Sequence, residues 1–124
     1  MTRLVAVIGL ATCLLSTACK PTCQDTCRHF YADAPDGCGA SPSGIPADEA
    51  ISSCTEVCQN ALQIPGEPVN PTDRRFDPER QALLSESNTL ANEQEAAAWM
   101  DCVWTFSDEE CPTRLDQQYC VKIF

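Results

Sequence analysis

Two Cys-x3-Cys pairs, Cys23/Cys27 and Cys54/Cys58, restrict this chain more than any other feature. Cysteines four residues apart lie on one face of a helix, one turn above the other. When two such helices run antiparallel, the cysteines meet crosswise, Cys23 with Cys58 and Cys27 with Cys54. Both pairs share one midpoint, between residues 40 and 41. The breaker-rich stretch Pro35-Asp36-Gly37-Cys38-Gly39-Ala40-Ser41-Pro42-Ser43-Gly44 spans that midpoint and reads as the hairpin's loop. Closing a loop of about 36 residues removes roughly 3–4 kcal/mol of unfolded-state freedom, and the nested bond adds less.

Local signals place a helix on each side. Thr22 with Asp25 is a capping box that opens a helix over 23–34, with Cys23, Cys27 and Phe30 inward. Pro46 suits a first helical turn, and Asp48 and Glu49 complement the helix dipole. Ile51, Cys54, Cys58, Ala61 and Leu62 form the expected buried stripe, and Pro65-Gly66 ends the helix. Over residues 23–58 this arrangement resembles the twin Cys-x3-Cys hairpins of plant antimicrobial and inhibitor peptides and of small mitochondrial import chaperones. The intervening stretch is longer here and holds an extra cysteine, Cys38. The resemblance is one of geometry and implies no function.

Residues 65–80 hold four prolines in sixteen positions and form a loop. Asp77-Pro78 caps a helix through Leu83 and Leu84. A stronger helix covers 90–106, with Ala91, Ala98 and Cys102 on one side and Trp99, Val103 and Phe106 on another. Thr113 with Asp116 starts a last short turn through Leu115, Tyr119 and Cys120. Strand signals are nearly absent. The expected fold is all-α: a small disulfide-stapled bundle of about four helices, built on a helical hairpin, with a proline-rich loop. Residues 23–124 form one domain, divided into hairpin (23–64), loop (65–80) and C-terminal helices (81–124). Cys38, Cys102, Cys111 and Cys120 admit three pairings, because connectivity does not follow from spacing alone. Cys38 with Cys102 and Cys111 with Cys120 is the favoured set.

The first residues bear on location. Arg3 precedes an uncharged apolar run over 4–15 and the small residues Ser16, Thr17 and Ala18. That is the layout of a secretory signal peptide, too short for a membrane span of ~20 residues. Leu15-Ser16-Thr17-Ala18-Cys19 resembles a bacterial lipobox, with its leucine one position further from the cysteine than usual. The resemblance implies removal of 1–18, lipid on Cys19, and a short tether over 19–22. Ordinary cleavage after Ala18, giving a secreted or periplasmic soluble protein, is the alternative. Parity favours lipid. Of ten cysteines, Cys13 leaves with the signal, and a lipidated Cys19 leaves eight for four disulfides. Lys20 stands where enteric lipoproteins retained at the inner membrane carry aspartate, which leans toward the outer membrane of a bacterial envelope.

Residues 1–18 hold one base and no acid, so the remainder has seven Lys and Arg against 18 Asp and Glu, a net −11. That balance argues against nucleic acid or anionic lipid as partners. No Cys-x2-Cys pair is present for zinc, haem or dithiol redox chemistry, and Cys-x3-Cys on a helix reads as structural. No metal site, cofactor or small-molecule substrate is indicated. His29, the only histidine, lies off the cysteine face with no recognised motif around it, and it reads as a surface or half-buried residue. The 65–80 loop carries the only basic cluster, Arg74-Arg75-Phe76, a candidate interaction loop. The expected function is therefore non-enzymatic, structural or partner-binding, with no catalytic residues. The alternative is a membrane-presented inhibitor of a protease or other hydrolase, offering an arginine from that loop.

Overall fold

Thr22 starts the first helix. Its Oγ1 accepts the Asp25 N–H at 3.1 Å and its carbonyl accepts both the N–H and the hydroxyl of Thr26. The computed structural model describes residues 21–77, 89–107 and 120–124, and among these it contains three helices and no strand. They are α1 (Cys23–Tyr31), α2 (Ala47–Leu62) and α3 (Glu93–Ser107), and each packs on the other two. The expected signal segment, Cys19, the expected helix after Asp77, the expected turn after Thr113 and Cys111 all lie outside the described residues.

α1 stops at Tyr31, three residues earlier than the sequence suggests. Pro35 disfavours helix at the residue before it, and the chain instead folds back over the helix end. The N–H groups of Cys38, Ala40 and Gly39 donate to the carbonyls of His29, Phe30 and Ala32 at 2.9, 3.0 and 2.8 Å. The loop thus pairs carbonyls that a helix end leaves without intrahelical donors. Gly37 sits where the crossing is tightest. A Cβ there would lie 2.6 Å from the Arg28 carbonyl oxygen and 2.7 Å from that of Ala32.

Pro46 occupies the cap position of α2, and Asp48 and Glu49 lie in its first turn. The buried stripe is Ala50, Cys54, Cys58 and Ala61; Cys54, Cys58 and Ala61 face inward as expected, and Ala50 stands where Ile51 and Leu62 were expected. Ile51 is only half-buried and Leu62 is 41% exposed. The disulfides turn the helix so that small residues face α1: Cys23 bonds Cys58 and Cys27 bonds Cys54, with Cα–Cα separations of 5.7 and 5.9 Å. Axes held that close leave little room for an isoleucine or leucine between them.

α3 begins at an asparagine cap absent from the sequence reading. Asn92 Oδ1 accepts the N–H groups of Gln94 and Glu95 at 2.9 and 3.0 Å, and Glu95 Oε1 accepts the Ala91 N–H at 3.1 Å. Its inward residues are Ala96, Trp99, Cys102 and Val103, while Ala91 is exposed. The Trp99 ring meets Phe30 edge-on, with centroids 6.3 Å apart.

Residues 120–124 complete the core. The Trp99 indole N–H donates to the Val121 carbonyl at 2.8 Å, and the Tyr31 hydroxyl donates to the Ile123 carbonyl at 2.7 Å. Burial raises the Tyr31 pKa far above the ordinary phenol value, so the hydroxyl remains a donor. These bonds hold the segment against α3 and the end of α1, and Cys120 meets Cys102 with Cα atoms 6.0 Å apart. Cys102–Cys120 replaces both expected pairings: Cys38 does not bond Cys102, and Cys111 does not bond Cys120. Cys38 is itself disulfide-bonded, and its partner lies outside the described residues, because the other six described cysteines pair among themselves.

Candidate functional site

The Arg74-Arg75-Phe76 cluster lies in a stretch, residues 65–77, without helix or strand. Asp73 organises it. The Asp73 N–H donates to the Asn70 carbonyl, the Phe76 N–H donates to the Asp73 carbonyl, and Asp73 Oδ1 accepts the Arg75 N–H at 3.0 Å. The Arg75 guanidinium returns to the same carboxylate at 3.2 and 2.9 Å and approaches Glu95 Oε1 on α3 at 3.6 Å. The Arg75 hydrogen bond holds the Asp73 carboxyl below the usual aspartate range, against a smaller opposing effect of burial.

Phe76 turns into the core and is 7% exposed, with the Arg75 guanidinium 4.7 Å from its ring centroid. The Arg75 carbonyl accepts the Val121 N–H at 3.0 Å, so the turn also holds the C-terminal segment. Of the three candidate residues, Phe76 and Arg75 are therefore used internally. Arg74 alone is exposed, at the tip of the braced turn.

His29 is half-buried, and its ring stacks on Trp104 with centroids 4.0 Å apart and planes 13° from parallel. Its Nε2 is buried and has no hydrogen-bond partner among the described residues. The Trp104 indole N–H donates to Thr26 Oγ1 at 2.9 Å, tying α3 to α1. No cluster of metal-ligating side chains occurs among the described residues.

Sequence reasoning missed Trp104. A signal was present: Ala97, Met100 and Trp104 recur at spacings of three and four, a second stripe beside the core face of α3. With Pro21 and Asp101, these residues line a notch of about 370 Å³. A separate polar hollow of about 480 Å³ lies on the outer face of the α1–α2 hairpin, with Arg28, Asp48, Ile51 and Glu56 on its walls. No described helix is long and apolar enough to cross a membrane. Neither a family model, nor a curated protein, nor a solved structure matches this chain.

Proposed function

We propose that the mature chain is a non-enzymatic envelope protein, lipid-anchored on Cys19, whose rigid helical domain has a structural or partner-binding role. One observation carries the reading. Thr22 already caps α1 and Cys23 is already buried in a disulfide, so the fold begins within four residues of the candidate lipidation site. Three residues of chain reach at most about 11 Å, so lipid on Cys19 keeps the domain against the membrane surface. The disulfides suit an oxidising compartment. Lys20 favours the outer membrane as the site of residence.

Intact mass of the protein from a bacterial membrane fraction, before and after reduction and alkylation, tests this. Acyl mass on Cys19 is expected, with the eight thiols beyond it appearing only on reduction. Absence of acyl mass sinks the anchor.

The inhibitor reading has one favourable observation, the exposure of Arg74 on a turn that Asp73 and Arg75 brace. A braced loop loses less conformational freedom on binding. Titration against a trypsin-like protease separates the readings. An inhibitor saturates stoichiometrically and loses potency on Arg74→Ala, whereas unaltered protease activity removes this reading.

A further inference from the structure

We infer that the face formed by Pro21, Ala97, Met100 and Trp104 is where the anchored domain meets the lipid bilayer, so that the anchor sets the domain's orientation as well as its place. The inference rests on the lipid-anchor reading of Cys19. Pro21 lines the notch, and two residues of chain put Cys19 within at most about 7 Å of it. The far side of a domain of this size lies about 30 Å away. Acyl chains entering the membrane from Cys19 therefore bring this face down first.

The side chains suit that contact. Pro21 and Ala97 are exposed, and Met100 and Trp104 are half-buried. Tryptophan favours the membrane–water interface, where its ring is apolar and its N–H needs a partner. Here Thr26 Oγ1 already accepts the Trp104 N–H, so the ring enters the interface with no donor stripped of its acceptor. Asp101 on the rim, within a strongly acidic protein, directs the face to zwitterionic rather than anionic headgroups.

The test places the mature lipidated protein, its acyl mass verified, in phosphatidylcholine vesicles with or without brominated acyl chains, and reads tryptophan emission. Trp99 is fully buried and Trp104 is not. Loss of emission in the brominated vesicles is expected, retained in Trp99→Phe and abolished in Trp104→Phe. Either variant assigns the signal if the other does not fold. Equal emission in both vesicle types, while the protein floats with them, overturns the orientation and leaves the anchor standing. A protein with no acyl mass overturns the anchor and the orientation with it.

Discussion

The two hairpin disulfides are nested, and nesting makes their contributions interdependent in a way that can be measured. Alone, Cys27–Cys54 with its sequence separation of 27 closes a loop of about 28 residues, and Cys23–Cys58 with its separation of 35 closes one of about 36. The chain-entropy model assigns these about 3.6 and 3.8 kcal/mol respectively. Once either bond exists, the other closes only the small ring through residues 23–27 and 54–58. That ring holds about ten residues and is worth about 2.7 kcal/mol. Replacing one pair by alanines, Cys23→Ala with Cys58→Ala or Cys27→Ala with Cys54→Ala, therefore costs about 2.7 kcal/mol in closure entropy. Replacing both pairs costs about 6.4 kcal/mol, roughly 1 kcal/mol more than the sum of the two.

All four cysteines are at most 2% exposed. Lost sulfur packing enters both arms of the cycle and cancels in the coupling to the extent that it is additive. Urea unfolding without reductant, each curve fitted with its own slope, supplies the four free energies. The variant lacking both pairs has lost a large share of a typical domain's stability, so its value comes from the unfolded fraction at zero urea. A coupling of zero, or of opposite sign, refutes the nested-loop reasoning.

Tyr31→Phe leaves the buried Ile123 carbonyl without its donor. A loss of about 1–3 kcal/mol is expected, and unchanged stability in urea would count against that bond. Gly37→Ala drives a Cβ against the Arg28 and Ala32 carbonyls, with an expected loss of about 1–3 kcal/mol. A melting temperature equal to the parent's contradicts the close crossing. Because the folded pKa of Asp73 is depressed, its link to Arg75 stabilises the turn above the unfolded aspartate pKa and is lost as pH falls through the folded one. The Arg75 amide resonance, reporting its bond to Asp73 Oδ1, should then titrate below the ordinary value of about 3.9. A midpoint at or above that value goes against the assignment.

The hairpin was legible because its signals are local and redundant. The cysteine spacing, the Thr22 cap and the breakers around Gly37 each point to one arrangement; the end of α1 at Tyr31 and the inward edge of α2 were misjudged. Counting apolar residues brought in Ile51 and Leu62, but disulfide-held helix axes approach too closely for them. The C-terminal pairing was not legible, because what selects Cys120 for Cys102 is tertiary. Trp99 and Tyr31 bind the Val121 and Ile123 carbonyls, and no periodicity announces a main-chain acceptor. The Arg74-Arg75-Phe76 cluster showed its charge but not its direction. A carboxylate two residues before Arg75 and an aromatic residue after it are compatible with either orientation, and packing on α3 and Val121 decides.

The placement of residues 120–124 also sets an order of events. They leave the ribosome after every element they pack on, and any export machinery that threads the chain from its N-terminus delivers them late. Until then Trp99 and Tyr31 lack the carbonyls that satisfy them, and Cys102 lacks its partner. The hairpin can already be oxidised while the core remains open. A chain halted before residue 120 should therefore carry both hairpin disulfides and a water-exposed Trp99. If Trp99 emission in such a chain already matches that of the full-length protein, closure does not wait for the final segment.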